Sequence, residues 1–396
     1  MALSERPAVL IGFAEALAGP ETAWSLLDAG NRVVAFTRRG RRPALRRCRE
    51  VELVSVTPPE RDLETAAAEV RALAWREDIG AVMPLDDAAV SICSDGLGGA
   101  APVLGPTGEQ AEVALDKRRQ LELAAEAGFR IPPTIEVTTE AEALALDAFP
   151  LVLKPALAVT ELDGRLIRGS GVVCADREEL ERAVARWQGR QPLLAQAHLL
   201  GVGEGLFGLA DGDRIRAWSA HRRVRMMNPQ GSGSSACVSI PVDENLRRLA
   251  ERLVGEARWS GLFMVELLRD RAGYAWFMEL NGRPWGSMAL ARRLGLEYPA
   301  WAHRQLLEPG FEPPFPARNG EIRVRHLGRE VVHLLMVLRG PRSRALTDWP
   351  SRLGTLLDVA SVRRGDRWYN WRRGSPGLFV ADAVGTVRDQ VLGRPG

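Results

Sequence analysis

Four polar residues about two thirds of the way along the chain have the types and spacing of a metal and phosphate site. Glu266 lies in one apolar run, and Glu279, Asn281 and Arg283 lie in or just after the next. Two apolar runs joined by a turn-forming segment predict a β-hairpin. If its strands pair symmetrically and without a bulge about the peptide bond between residues 272 and 273, Glu266 and Glu279 face each other.

Two facing carboxylates repel each other unless a cation lies between them. Alternation along a strand puts Asn281 and Arg283 on the same face as Glu279. Carboxylate and amide oxygens suit Mg²⁺ that carries nucleotide phosphates, and a guanidinium beside them can hold a phosphate or a developing oxyanion. The alternative is a solvated hairpin face. The apolar neighbours of these acids, such as Met264 and Phe277, argue against that alternative.

The chain has only two lysines, Lys117 and Lys154, among 53 basic residues. Coding bias is the simplest explanation of the skew, because lysine and arginine are nearly interchangeable for solubility at a surface. They are not interchangeable where a site needs a compact ammonium group. The two lysines are therefore either surface residues that escaped replacement or residues that the chain requires.

The elements that must position these residues follow an α/β pattern. Residues 8–85 alternate β-rich apolar runs with helical patterns, which predicts a parallel sheet covered by helices. In the segment that follows the first run, residues 12–21, glycines occur only at Gly12 and Gly19. This segment therefore lacks the G-x-G-x-x-G spacing of a dinucleotide-binding site. A long helical pattern follows from Thr107 to Gly128, and from 133 to 293 most patterns are those of strands.

Composition excludes several classes of protein. A chain of 396 residues with 46% apolar and 26% charged residues is typical of a globular protein with two or three domains. No apolar run is long enough to span a bilayer and the N-terminus does not resemble a signal peptide, so we expect a cytoplasmic location. The four cysteines are widely separated, which indicates neither a zinc site nor a disulfide framework.

The motifs resemble those of ATP-grasp proteins, in the branch of carbamoyl-phosphate synthetase and biotin carboxylase modules. The similarity runs from about residue 115 to residue 293. Glu266 with the E-x-N-x-R segment 279–283 resembles the metal-binding and catalytic cluster of that family. Asp116-Lys117 resembles the segment whose lysine reaches the nucleotide phosphates, and residues 149–155 resemble the strand that carries the second lysine.

The resemblance implies a role for each of these residues. Lys117 and Lys154 would bind phosphates, where a compact ammonium fits between oxygens and a guanidinium fork is too wide. The implied metal ligands are Glu266, Glu279 and Asn281, and the implied catalytic residue of the cluster is Arg283. The implied cofactors are ATP and Mg²⁺, with Mn²⁺ as an alternative ion.

Further segments resemble the rest of the ATP site. Residues 161–171 resemble the glycine-rich flap over the phosphates, residues 196–199 resemble the hinge that reads adenine, and an acid after the hinge resembles the ligand of the ribose hydroxyls. The implied ATP contacts in these segments are Gly169, Ser170, Gly171, Gln196, Ala197, Leu199 and Glu204. His198 lies in the hinge, where we expect a structural role.

A basic strand precedes the hairpin. Arg223 and Arg225 alternate onto one face, and we expect them to bind the acceptor carboxylate or the γ-phosphate. Gly231–Ser235 is a candidate anion nest. His221 is either a catalytic base or a hydrogen-bonded core histidine, and we expect the latter.

The predicted fold class is α/β, with α+β character in the ATP-grasp part. An N-terminal parallel α/β domain, residues 1–105, precedes a two-subdomain ATP-grasp fold. Its lysine and flap subdomain spans 106–198 and its metal-binding subdomain 199–294. Residues 295–396 form a C-terminal basic cap region. Between residues 318 and 373 this region has 13 arginines against five acids, with interleaved tryptophans.

The resemblance implies an ATP-dependent carboxylate–amine ligase that forms an amide through an acyl phosphate and releases ADP. Its substrates would be small, amino-acid-like carboxylates and amines. The alternatives are a carboxylase or phosphotransferase that uses the same ATP site, and a non-catalytic nucleotide-binding regulatory protein. We expect no membrane partner and prefer a cap over the active site to nucleic-acid binding for the basic region. A homodimer is compatible with the sequence.

Overall fold

The computed structural model describes residues 7–187, 189–212, 214–231, 233–314 and 320–392. Within them the chain forms a parallel sheet, a four-stranded antiparallel sheet, a seven-stranded mixed sheet and a separate two-stranded hairpin, with helices on their faces. This arrangement confirms the predicted α/β class with α+β character in the later part.

The first sheet is parallel, with strand order β3-β2-β1-β4. Its strands are β1 Ala8–Gly12, β2 Arg32–Arg38, β3 Val51–Val56 and β4 Ile79–Pro84. The helices that connect or follow them are α1 Gly19–Asp28, α2 Leu63–Ala74 and α3 Asp87–Cys93, with short 3₁₀ helices at Ala44–Arg47 and Gly96–Gly99. β1 is fully buried, as expected of a central parallel strand covered on both faces.

The predicted long helix from residue 107 to residue 128 is interrupted. Helix α4, Gly108–Leu115, ends at Asp116, and α5, Lys117–Glu126, begins directly after it. Asp116 is extended and its carboxylate accepts a hydrogen bond from the N–H of Arg118. The backbone N–H of Lys117 donates to Ala156 O at 2.8 Å. The break therefore fixes Lys117 against the segment that follows Lys154.

The second sheet is antiparallel, with strand order β5-β10-β6-β9. Its strands are β5 Thr134–Val137, β6 Leu151–Pro155, β9 Val172–Cys174 and β10 Leu193–Ala197. The hairpin of β7 Thr160–Leu162 and β8 Arg165–Ile167 projects between β6 and β9, and the helices of this part are α6 Glu140–Leu144 and α7 Arg177–Trp187. Lys154 thus lies on β6, beside the central strand β10.

The third sheet has the order β15-β14-β11-β12-β13-β16-β17. Its strands are β11 Gly201–Asp211, β12 Arg214–Met226, β13 Ser234–Ile240, β14 Gly261–Asp270, β15 Ala275–Asn281, β16 Arg323–Arg325 and β17 Arg367–Trp368. Helix α8, Glu244–Glu256, connects β13 to β14. Because β16 pairs with the edge of β13, the sheet continues past the boundary predicted at residue 294. An unpaired strand edge favours such an addition.

Five helices complete the C-terminal part: α9 Met288–Arg293, α10 Tyr298–Leu307, α11 Leu327–Arg339, α12 Arg352–Ala360 and α13 Pro376–Val391. A buried apolar cluster joins α9, α10 and α13 to the parallel sheet and to β11 and β14. Trp285 is central to this cluster, stacked on Phe207 with ring centroids 4.5 Å apart. In the described part of the chain, no helix is both long and apolar enough to cross a membrane.

Candidate functional site

A cavity of about 830 Å³ is lined by residues of all three large sheets or of the loops that leave them. This volume is within the range of small-molecule sites. Most of the residues predicted for a site line its wall: Lys154, Gly171, Gln196, Ala197, Leu199, Arg223, Glu266, Glu279, Asn281 and Arg283. Lys117, Gly169, Ser170, Glu204 and Arg225 do not belong to the wall.

The predicted hairpin is formed by β14 and β15, and Glu266 is the register partner of Glu279. The prediction of unbulged pairing is wrong in an instructive way. The turn spans residues 270–274 and is centred on Ala272, one half-residue before the predicted centre. A bulge at Met278 then shifts the register by one residue and restores the facing pair.

Two cations compensate the repulsion between the facing acids. Arg223 Nη2 lies 2.8 Å from Glu266 Oε2, and Lys117 Nζ lies 3.4 Å from Glu279 Oε1. The side chains of both cations are mostly buried. Each acid therefore has a different basic partner, and the space between the acids is where the sequence predicts a metal ion.

Lys154 is the second lysine of the site. Burial lowers its pKa to about 8, opposed by the nearby carboxylates of Glu279 and Glu266 and reinforced by the charge of Lys117. The two lysines and the two acids are thus electrostatic neighbours, as the sequence predicts. A buried ammonium whose charged form is disfavoured gains most from a polyanion placed beside it.

The donors at the hairpin fit a magnesium site that is completed by a nucleotide. Among the described residues, no group of three His, Cys, Asp or Glu side chains could hold a metal ion by itself. Two carboxylates and the amide of Asn281 are nevertheless sufficient, since Mg²⁺ takes one or two protein carboxylates together with phosphate oxygens and water.

Arg283 has a partner that sequence reasoning missed. Its Nε donates to Asp87 Oδ1 at 2.6 Å, and Arg168 Nη2 lies 3.4 Å from Asp87 Oδ2. Burial opposes ionisation of Asp87, but Arg283, Arg168 and Lys117 lower its pKa to about 2. Asp87 follows the carboxyl end of β4, where ligands bind in open parallel sheets, and that position could have indicated it.

The predicted hinge lies in the cavity wall. The N–H of Ala197 donates to Pro133 O at 3.0 Å and that of His198 to Pro150 O at 3.1 Å. The N–H of Leu199 has no hydrogen-bond partner among the described residues. Gln196 is buried, and its Nε2 donates to Thr134 Oγ1 at 2.8 Å. The free backbone donor of the segment is therefore at Leu199.

The predicted flap contains the hairpin β7–β8. The tip of the hairpin is attached to the N-terminal part of the chain: Leu63 N–H donates to Gly164 O at 2.9 Å, and Leu166 N–H donates to Pro59 O at 2.8 Å. Of the three predicted phosphate contacts, Gly171 lines the cavity, whereas Gly169 and Ser170 are exposed outside its wall. Ser232 of the predicted nest lies outside the described residues.

Glu204, the predicted ligand of the ribose hydroxyls, points away from the cavity. Gly203 and Gly205 approach Arg223 and His221 on the cavity side of the sheet, so alternation directs Glu204 to the opposite face. There it is 6% exposed, and its Oε2 lies 2.8 Å from Arg269 Nη2. Glu204 is therefore paired with Arg269 and does not line the cavity.

The prediction for Arg225 is also wrong. The register of β12 against β13 shifts between Arg223 and Arg225, so alternation does not keep these two residues on one face. The Arg225 side chain is 8% exposed and pairs with Glu330, whose carboxylate is also 2.8 Å from Arg325 Nη2. Arg225 belongs to a buried ion-pair network, and only Arg223 lines the cavity.

The C-terminal part closes one side of the cavity. Residues of α11, of the α11–α12 connection and of α13 line it, among them Arg329, Trp349 and Asp382. The sequence did not indicate which residues of the basic region face inward. Arg325, from the same region, is fully buried in an ion pair with Glu330 and lies 3.3 Å from Asp366.

Several solved structures are similar to this chain. The L-amino acid ligase from Bacillus licheniformis matches with a TM-score of 0.58 and 20% identity, over 78% of this chain and 75% of the ligase. The N5-carboxyaminoimidazole synthetase from Staphylococcus aureus, complexed with ADP, matches with a TM-score of 0.59 and 13% identity, over 78% and 79% of the two chains.

The biotin carboxylase domain of the 2-oxoglutarate carboxylase from Hydrogenobacter thermophilus, in complex with MgADP, ADP and bicarbonate, matches with a TM-score of 0.59 and 16% identity. The match covers 80% of this chain and 73% of that domain. No protein-family model and no curated protein sequence matches the chain. The structural likenesses confirm the predicted fold: the chain has the ATP-grasp fold, in the biotin carboxylase-like form.

Proposed function

We propose that the protein is an ATP-dependent ligase that joins a carboxylate to an amine and releases ADP and phosphate. One observation carries the proposal: Lys154, the facing acids Glu266 and Glu279, and Arg283 converge on one cavity, with Lys117 bonded to one of the acids. Positive charges that surround a pair of metal-binding carboxylates are the environment that a bound nucleotide triphosphate requires.

The wall of the cavity supports one orientation of ATP. Adenine would lie against residues 196–199, where the free N–H of Leu199 can donate to the base. The phosphates would then extend toward Lys154 and Lys117. Glu266, Glu279 and Asn281 would hold Mg²⁺, or Mn²⁺, which when bound neutralises phosphate charge.

The residues around the acids support a two-step reaction. In the first step an oxygen of the substrate carboxylate attacks the γ-phosphorus, the bond from that phosphorus to ADP breaks, and an acyl phosphate forms. In the second step the amine nitrogen attacks the acyl carbon and loses a proton, and the bond to phosphate breaks. Arg223, beside Glu266, would hold the carboxylate or the γ-phosphate, and Arg283 would stabilise the oxyanion.

Structural neighbours support this class of reaction. One of them is named an L-amino acid ligase, and others bind ADP with or without magnesium. Because carboxylases share the same fold, carboxylation is the alternative that the experiment must separate.

The test measures ADP, AMP and phosphate after purified protein is mixed with Mg²⁺-ATP and pairs of L-amino acids. We expect release of ADP and phosphate that requires both a carboxylate and an amine. Release of AMP and pyrophosphate would contradict the acyl-phosphate route. Phosphate release with bicarbonate and without an added carboxylate would favour a carboxylase, and no release with any pair would favour a non-catalytic protein.

A further inference from the structure

Two charged residues on the C-terminal side of the cavity have no role in the reaction as described above. Arg329 lies in the first turn of α11 and Asp382 in the middle of α13, and both line the cavity. They come from a part of the chain that lies beyond the motifs of the nucleotide site. They are therefore candidates for contacts with the other substrate.

Arg329 differs from the arginines around it. Arg223, Arg225 and Arg325 each pair with a carboxylate. The guanidinium of Arg329 donates to the backbone oxygen of Ser234 at 3.2 Å, and no carboxylate of the described residues lies within 4.0 Å of it. Burial lowers the pKa of Arg329, as expected for a guanidinium removed from water without a paired anion. An anionic ligand would provide the missing partner.

Asp382 provides the opposite charge in the same wall. Its Oδ2 lies 2.8 Å from His326 Nε2 and accepts a hydrogen bond from Asn370 Nδ2 at 3.0 Å. Its Oδ1 has no hydrogen-bond partner among the described residues. Asp382 and Arg329 influence each other electrostatically but are more than 4.0 Å apart, so a small zwitterion can lie between them without breaking an ion pair.

A third residue of the wall, His221, is buried without a hydrogen bond. It is 2% exposed, and neither of its ring nitrogens has a hydrogen-bond partner. Burial and the charge of Arg223 lower its pKa to about 3, so the imidazole is neutral. His221 therefore adds no positive charge beside Arg223.

We propose that Arg329 and Asp382 bind the head group of an α-amino acid, with the carboxylate on Arg329 and the ammonium on Asp382. The order of charges supports this orientation. Arg223 contacts the metal-binding Glu266 at 2.8 Å, Arg329 is an electrostatic neighbour of Arg223, and Asp382 is a neighbour of Arg329. The carboxylate end thus faces the γ-phosphate. The inference rests on the proposed ligase function and identifies its phosphorylated substrate.

The test isolates the first substrate by using hydroxylamine as the amine. Hydroxylamine attacks the acyl carbon, displaces phosphate and loses a proton, so each turnover yields one hydroxamate and one ADP. Each of the twenty L-amino acids is compared with its deamino acid, for example alanine with propionate. The proteins are the wild type, Arg329→Gln, Arg329→Lys, Asp382→Asn and the surface control Arg182→Gln.

The two charges predict different changes. Arg329→Gln should raise KM about 10- to 100-fold for the amino acid and its deamino acid alike, with partial recovery in Arg329→Lys. Asp382→Asn should raise KM for the amino acid only, so that the preference over the deamino acid disappears. KM for Mg²⁺-ATP should stay unchanged in every variant, which a general folding defect would not permit.

Two results would overturn the inference. The first is hydroxamate formation in which Arg329→Gln and Asp382→Asn keep the KM values and the preference of the wild type; the ligase function would then stand without this subsite. The second is reached if the wild-type protein forms no hydroxamate, an outcome that contradicts the ligase function itself. In that case the amino acids are titrated calorimetrically into the protein with MgADP. Binding to the wild type that both Arg329→Gln and Asp382→Asn lose would support the subsite, and absence of binding to the wild type would overturn it.

Discussion

Two sides of the cavity are built from the chain in different ways. On the hairpin side, Glu266, Glu279, Asn281 and Arg283 come from one hairpin and its exit, residues 266–283. On the C-terminal side, Arg329 and Asp382 come from α11 and α13, which are far from the hairpin in sequence.

This difference separates what short-range and long-range structure contribute to a site. Strand alternation and a turn are enough to bring the hairpin residues together, because hairpin register is a local property. No local rule brings α11 and α13 to this cavity, since α11 is joined to β12 by the buried ion pair of Glu330 with Arg225, and α13 packs through Leu378 in the large apolar core. The following predictions test the roles proposed for the hairpin side of the cavity and for the residues that support it, from the largest expected effect on the reaction to the smallest.

Glu279→Gln should give the largest effect. The change keeps the shape of the side chain but removes the charge that faces Glu266 and contacts Lys117, so we expect turnover to fall about 100- to 1,000-fold. ADP release with an amino acid and hydroxylamine measures it, and the thermal midpoint should change little. The exposed Glu244→Gln is the matched control. If Glu279→Gln kept the turnover of the wild type, Glu279 would have no role in the mechanism.

Lys154→Arg should weaken ATP binding about 10- to 100-fold, because a guanidinium does not replace a buried ammonium between phosphates. Equilibrium binding of ATP measures the change. Arg304→Lys, an exchange of the same two residue types on an exposed side chain, should bind ATP normally. If Lys154→Arg does so too, coding bias is a sufficient explanation of the two lysines.

Asp87→Asn should lower kcat about tenfold and leave KM for ATP nearly unchanged, since Asp87 positions Arg283 without lining the cavity. The control is Asp95→Asn, an exposed aspartate that pairs with Arg71 in the same part of the chain. An unchanged kcat in Asp87→Asn would show that Arg283 does not need this contact.

ATP affinity should fall about fourfold between pH 7 and pH 8.5, because the ammonium of Lys154 with a pKa of about 8 is largely neutral at the higher pH. The stability of the fold should change with pH in the opposite direction. Between pH 8 and about 10.5 the lysine binds more protons in the unfolded chain than in the folded one, so the contribution of Lys154 to the free energy of unfolding rises with pH in that window. Whatever affinity Lys154→Arg retains should not show this pH dependence, since arginine stays charged. A wild-type affinity that is constant over this range would contradict the assignment.

Arg225→Gln should have the smallest effect on the reaction and a large effect on stability. Loss of one partner from the buried network with Glu330 should lower the free energy of unfolding by about 3–5 kcal/mol, measured by urea denaturation, with both KM values unchanged. Arg223→Gln, two residues earlier, should instead lower kcat/KM at least about tenfold. If Arg225→Gln lowered kcat/KM and Arg223→Gln lowered only the stability, Arg225 would be a residue of the site.

Sequence reasoning succeeded where the position of a residue depends on its neighbours in the chain, and it failed where that position depends on irregular strand pairing or on distant residues. The facing pair Glu266 and Glu279 was predicted correctly although the turn and the bulge at Met278 were not, because their two register shifts compensate. Arg225 was predicted wrongly, because a single bulge in β12 breaks the alternation on which its placement rested. Asp87 was missed, since its contact with Arg283 joins the start of α3 to the segment after β15, which is far away in sequence.

The sequence by itself determined the fold class and singled out the two lysines, the two facing acids and the arginine that follows them. Those features depend on residue type and on strand or helix periodicity, which local chain geometry enforces. Only the tertiary structure decided that Glu204 faces away from the cavity, that Asp87 holds Arg283, and that Arg329 and Asp382 line the same cavity as the hairpin acids. These placements result from bulges, edge-strand pairing and helix packing over a shared core, where contacts between distant residues outweigh local pattern.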